Sequence, residues 1–361
     1  MRKLLLLLLT LVTASSIAWE TDNFTSRRKI LKASEEEKNS NLFNLNDEMN
    51  KKMLQVIEGV NDDYDCQEDM ARIKKGKVPR IYSHIDDVLG GTHAAIEEFA
   101  EEGGAKLYDH SRAWLAKENI YSKNYGLQGS FNLNGHVIGP DKLGHFVDQG
   151  FDLMEVMIEK GINKEGFFAS MEESNDLENG FYGISSSGVK SYGDMAANFS
   201  GLSFYYNLLF GANPQLKCDS RTKKYTMDYD FDWSDYVDDS WDEGVNCSFF
   251  YKVDNPFTGR TSRFNIKKTD EGDHLQKYLQ GLRPPMACPS ELNKCKTVSK
   301  RNCANYFTSP QCLRKVVTYN KCRVNSLTSV LKVTRNTNSP YKYNRDQSNG
   351  GSHESNSLFN K

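Results

Sequence analysis

Gly139-Pro140-Asp141-Lys142-Leu143-Gly144-His145-Phe146-Val147-Asp148 is the stretch on which the reading of this chain turns. Proline at a first helical position has its φ already set and lacks an N–H that would be orphaned there, so Gly139-Pro140 predicts a helix start. The helix is expected to run from about 140 to 160 and to stop near Gly161. On it Asp141, His145 and Asp148 fall at i, i+4 and i+7 and share a face, while Leu143, Phe146, Val147, Phe151 and Met154 take the other sides. A helix that carries polar groups and large apolar residues all round is expected to be buried, and its polar groups must then pair.

Beyond this helix, Asn163 caps a short helix to about 175, and a Gly/Ser-rich loop runs from Asn179 to Lys190. Ser191 opens a third helix that ends near Gly211 and Pro214. Asp194, Asn198 and Gly201 share one face of it, with Tyr205 a turn further. The simplest arrangement sets the two polar stripes against each other, with Gly201 allowing the backbones to approach closely.

Upstream, Leu42, Leu45, Met49, Met53 and Ile57 recur at helical spacing and predict an amphipathic helix over 42–59. The stretch before it reads as a mobile leader. Residues 84–118 read as helix broken at Gly90-Gly91 and Gly103-Gly104, with a second helix continuing through Tyr108, Trp114 and Leu115. Downstream, Tyr225, Met227, Tyr229, Phe231 and Trp233 alternate with Asp228, Asp230 and Asp232. That period of two predicts an extended segment with an aromatic and an acidic face.

The chain has 361 residues, 38% of them hydrophobic and 26% charged, so part of it is expected to lie outside a packed core. The net charge of −2 argues against nucleic-acid binding driven by an overall positive field. Residues 1–18 have a basic start, the apolar run Leu4 to Leu9 and a small-residue end at Ala18, the form of a secretory signal peptide. Its removal takes Arg2 and Lys3 away and leaves a net charge of −4. No transmembrane span is expected after that cleavage. The eight cysteines lie outside the leader, an even count that suits disulfides in an oxidising compartment. Five of them, from Cys288 to Cys322, lack CxxC spacing, which argues against a zinc knuckle.

The expected organisation is therefore a signal peptide over 1–18, a polar leader with an amphipathic helix over 19–62, and a helical core domain over 63–215. A Cys-rich region over 216–325 and a disordered tail over 326–361 complete it. The fold class is mainly α, with a smaller disulfide-braced mixed α/β region towards the C-terminus.

Asp141-Lys142-Leu143-Gly144-His145-Phe146 has the form D-K-x-x-H-F, and Ser191 to Gly201 has the form S-x-x-D-x-x-x-N-x-x-G. In this order the two resemble the VanZ-like family and a related group of small periplasmic lipoproteins, over about 136–211. The resemblance implies a bacterial source, a small helical core and a carboxylate supplied by Glu178, upstream of Asp194. VanZ-like proteins are membrane-embedded, whereas this chain lacks their apolar spans.

Three readings of these residues stand side by side. In the first they are structural: Asp141 favours the positive end of a helix, Ser191 and Asp194 form a capping box, and His145 ties two helices together. In the second they form a hydrolase-like site, with His145 as general acid or base, Asp194 orienting it and Glu178 as a second carboxylate. In the third Asp141, His145, Glu178 and Asp194 hold a hard or borderline divalent ion. Asp141, Lys142 and Asn198 are the candidates for contacting a ligand, and no cofactor is specified. The expected function is that of a secreted or periplasmic protein acting at the bacterial envelope in a non-catalytic binding or structural role. An envelope-directed hydrolase is the alternative, and the expected partner is a cell-envelope component.

Overall fold

The computed structural model describes residues 35–90, 108–109, 130–180, 182–183, 189–243, four two-residue strands between 249 and 266, and 327–343. Six helices carry the architecture: α1 (Glu35–Asp63), α2 (Cys66–Ala71), α3 (Arg80–Leu89), α4, α5 (Lys164–Asn179) and α6 (Tyr192–Leu209). The fourth is continuous across Asp141–Gly144, His145–Gln149 and Gly150–Lys160, and its middle segment is a π turn. The described strands are two or three residues long and pair two by two, all antiparallel. The fold is mainly α. No described helix is long and apolar enough to cross a membrane.

The helix ends follow from their residues. Asn163 Oδ1 accepts from the backbone N–H groups of Glu165 and Gly166, so α5 starts where expected and runs four residues further than the spacing predicts. Ser191 Oγ accepts from Asp194 N, which caps α6. Gly161 ends α4 at φ 102°, a conformation that side chains rarely adopt. The first helix begins at Glu35, so part of the stretch expected as a mobile leader is helical.

Two further expectations are corrected. Of the helix read over 84–118 the described part is α3, which starts four residues earlier at Arg80 and ends at Leu89; residues 91–107 and 110–118 lie outside the described residues. Tyr108–Asp109 is not helical but pairs as a strand with Asn265–Ile266. The acidic-aromatic segment is a strand only over Tyr225–Met227, paired with Leu216–Cys218, and ends in a single 3-10 turn at Trp233–Asp235. Its alternation nevertheless sorts Tyr225, Met227, Phe231 and Trp233 into the core. Beyond Met227 much of its hydrogen bonding comes from α1. Buried Asn50 accepts from Phe231 N at 2.7 Å and donates to Phe231 O at 2.8 Å, and Asn46 Oδ1 accepts from Trp233 N at 2.8 Å. Asn61 brackets Tyr225 in the same way. Buried amides on one helix face thus stand in for a neighbouring strand.

A single hydrophobic cluster runs from Leu42 of α1 through α3, α4 and α6 to Trp241, and takes in Val330 and Leu331. These last two lie in the tail expected to be disordered. There Asn207 donates to Leu331 O at 2.6 Å and Arg335 lies over the Tyr229 ring. Phe146 sits at the aromatic centre, within 4.8–5.7 Å of Trp233, Tyr236, Phe204 and Trp241. Helices α4 and α6 touch backbone to backbone: a Cβ on Gly201 would meet Phe146 O at 2.0 Å and Gly150 Cα at 2.8 Å. Cys66 and Cys218 form a disulfide with Cα atoms 5.7 Å apart, across 152 residues of chain. Cys247 and the cysteines from Cys288 to Cys322 lie outside the described residues.

Candidate functional site

The close approach at Gly150 and Gly201 sets the two polar stripes face to face. Lys142, buried without exposed surface, points its ammonium at three carboxylates. Its Nζ lies 2.7 Å from Asp141 Oδ2 and 2.7 Å from Glu243 Oε1, and pairs with Asp194 Oδ1. An ammonium has three N–H donors, and here three carboxylates face them. The other Asp194 oxygen, Oδ2, lies 3.0 Å from His145 Nε2. Gly193 leaves room for this packing: a Cβ there would stand 3.0 Å from Lys142 Cε and from Glu243 Cγ.

Next to the ion pairs, Ser191 Oγ donates to Glu243 Oε1 at 2.6 Å. His145 Nδ1 lies 3.0 Å from the Asn198 amide, which reaches Ser174 Oγ at 3.1 Å. That amide fits either way round. With Nδ2 towards the ring it donates to a neutral imidazole and to Gln149 Oε1, and with Oδ1 there it accepts from an imidazolium. The first orientation also satisfies the rest of the amide, which then donates to the Asp194 carbonyl oxygen and accepts from Ser174 Oγ.

The electrostatics follow from burial and from the shortage of cations. Burial opposes a charged His145, but the Asp194 carboxylate outweighs it and the ring's pKa rises. Burial likewise opposes an ionised Asp194, but His145 and Lys142 together hold it well below the usual carboxylate range. Asp141 is pushed up by burial and by Asp194 against the pull of Lys142. Glu243 is pushed up to about 7, first by burial, with Lys142 pulling down and Asp194 and Asp141 pushing up. A 2.7 Å contact with Lys142 does not keep Glu243 acidic, because that one ammonium is shared among three carboxylates. The cluster is neutral when Lys142 and His145 are charged, Asp141 and Asp194 are ionised, and Glu243 keeps its proton.

Of the residues named from sequence, Asp141, Lys142, His145, Asp194 and Asn198 meet here. Glu178 has a different position. It is buried, but its Oε2 accepts from Ser191 N at 3.1 Å, at the start of α6. The carboxylate that completes the cluster is Glu243. Only its place just after Trp241, in an aromatic and acidic stretch, hinted at burial. Asp148 also leaves the stripe, because the π turn rotates it towards α3.

Asp141, His145 and Asp194 bring ligand atoms within 4.8 Å of one another, close enough for a metal. The ammonium of Lys142 already pairs with two of these three residues, so a divalent ion there would lie against a like charge. The donor set therefore fits a built-in cation better than a metal. The side chains of the five charged residues are 0–7% exposed, Glu243 the most. No family model, curated protein or solved structure matches the chain.

Proposed function

We propose that this is an exported, non-catalytic protein in which the Lys142–His145 cluster is a structural lock joining α4, α6 and the Trp241–Glu243 segment. One observation carries the reading: all five charged side chains are buried and face one another. A hydrolase built on His145 and Asp194 would need a passage for substrate and water to that pair, whereas His145 has no exposed side-chain surface. Export is supported by the Cys66–Cys218 disulfide, a bond that persists in oxidising compartments, and by the form of residues 1–18. The bridge joins the start of α2 to the strand after α6, and the cysteines from Cys288 onward would brace a mixed C-terminal region in the same manner. Placement at a bacterial envelope, with an envelope component as partner, rests on the resemblance to VanZ-like proteins.

Thermal unfolding of His145→Ala and Asp194→Asn beside the wild type tests the lock. Removing one partner of a buried ion pair costs about 3–5 kcal/mol. At about 2–4 °C per kcal/mol, both variants should melt roughly 6 °C or more below the wild type. Unchanged or raised melting temperatures in both would overturn the structural reading, since functional residues are often held at the expense of stability.

A further inference from the structure

The chain has a small net negative charge, −2, but its cations are not evenly spread. From Ala71 to Ile85 there are five, Arg72, Lys74, Lys75, Lys77 and Arg80, and no Asp or Glu. This stretch joins α2 to α3. It forms a 3-10 turn, Ile73–Lys75, that ends at Gly76 in the left-handed region at φ 64°.

The turn is held in one shape. The N–H groups of Lys75 and Lys77 both donate to Arg72 O, at 2.9 and 3.1 Å, and Gly76 N donates to Ile73 O at 2.9 Å. Arg72 Nε then donates to Val78 O at 2.8 Å and closes the loop. Behind it the buried carboxylate of Asp69 accepts from Arg80 N and Ile81 N, which fixes the start of α3. A Cβ on Gly76 would meet nothing within 4 Å, so the tip stands clear of the rest of the molecule.

The charges on this tip are left without counterions. Arg72 lies 3.8 Å from Asp69, and the Arg80 guanidinium lies 4.1 Å over the Tyr64 ring. Lys74, Lys75 and Lys77 are exposed, and among the described residues none of the three has a carboxylate partner. Other lysines of the surface differ: Lys52, Lys160, Lys217, Lys223 and Lys224 each lie within 3.9 Å of a carboxylate oxygen.

We propose that the Lys74–Lys77 turn is a docking surface for a bilayer of anionic phospholipid. A single anionic polymer is held best in a groove that tracks its backbone. Here the cations stand on a protruding turn, the shape that meets a flat surface. A lysine ammonium is a point charge on a flexible stem, so it accepts headgroup phosphates without a fixed geometry. Among the described residues the one exposed large apolar side chain is Val88, so the contact rests on charge and not on insertion into the bilayer. The inference gives a chemistry to the envelope partner proposed above and rests on that placement only for where the membrane is met; the buried lock plays no part in it.

Sedimentation of the full chain with lipid vesicles tests the proposal. Phosphatidylcholine vesicles with about 30% phosphatidylglycerol should bind the protein at low salt, pure phosphatidylcholine should not, and about 0.5 M NaCl should release it. At about fivefold per lysine, the triple variant Lys74→Gln, Lys75→Gln, Lys77→Gln should bind about a hundredfold more weakly. It should melt with the wild type, because the three side chains have no partner in the fold to lose. Lys160→Gln, Lys164→Gln, Lys217→Gln makes the same change in net charge elsewhere and should weaken binding by less than about threefold. No binding to phosphatidylglycerol at low salt, equal binding by the two triple variants, or binding that persists on pure phosphatidylcholine would each overturn the proposal. Capture on heparin without capture on vesicles would also overturn it and assign the turn to a soluble anionic polymer. None of these results bears on the lock, which the melting of His145→Ala and Asp194→Asn reads separately.

Discussion

Glu243→Gln is the substitution that tests the charge balance of the buried cluster. Glutamine keeps the shape of the protonated acid and cannot ionise. In the folded chain Glu243 titrates near 7 instead of its ordinary 4.5. A carboxyl raised in this way contributes stability that is fully present below its unfolded value and lost as pH rises through its folded value. At 1.36 kcal/mol per pH unit, that shift is worth about 3 kcal/mol between pH 4 and pH 8. The glutamine variant escapes this loss. Its advantage should be less than about 1 kcal/mol at pH 5 and about 3 kcal/mol at pH 8, or roughly 6 °C in melting temperature.

The other titrating members leave that difference intact because both proteins retain them. His145, raised above 6.5, supports the fold below that pH and stops doing so as pH rises through its folded value. Asp194, lowered from 3.8, supports the fold above that pH and stops doing so in acid. The wild type should therefore be most stable at about pH 4, above the unfolded value of Asp194 and below that of Glu243, and lose stability as pH rises from there. Denaturant titrations at a series of pH values, read by the fluorescence of buried Trp233 and Trp241, measure the gap directly. A glutamine variant that is less stable at every pH, or a gap that does not change with pH, would refute the argument. Glu243 would then be an ionised partner of Lys142 that the fold requires.

Three further outcomes follow from packing and covalent structure. Gly201→Ala sets a methyl group against the backbone of α4, where little can yield, and should cost about 3 kcal/mol or more; Gly59→Ala, on open helix surface, should gain about 0.5–1 kcal/mol, and denaturant midpoints compare them. Reduction of Cys66–Cys218 should lower stability by up to about 5 kcal/mol, since the closed loop is long, and melting with and without reductant reads it. Asn50→Ala leaves both backbone groups of buried Phe231 without their amide partner and should cost about 2–3 kcal/mol by equilibrium unfolding.

The helical pairing was readable because its signals are local. Pro140, Asn163, Ser191 and Gly161 mark ends by their own chemistry, and Gly201 marks the close approach to α4. What the sequence hid was set by contacts across long separations. Glu243 joins Lys142 from outside the two motifs, and no periodicity connects them. Glu178 looked suitable by its distance from Asp194 in sequence, yet its carboxylate is used at the start of α6. Asn46, Asn50 and Asn61 look like ordinary polar positions on an amphipathic helix until the 225–233 segment lies against them.

The π turn is the least predictable of these features and the one that decides how the charges are divided. In a regular α-helix Asp141, His145 and Asp148 would line one stripe, and a single buried group would hold still more negative charge. An i→i+5 turn takes one more residue per revolution, so the residues beyond it lag behind the α-helical register. Asp141 and His145, before and at the start of the turn, stay with Lys142. Asp148, within it, is carried towards Asp86, and Asp152 follows one turn later. One acidic group therefore has its cation in the chain, from the residue next to Asp141. In the other, burial and neighbouring carboxylates push Asp86 and Asp152 up. The same helix serves both because its register changes between them. For that reason a substitution that restores α-helical register at His145–Gln149 should disturb the two groups together, whereas Glu243→Gln and Asp152→Asn should each disturb only one.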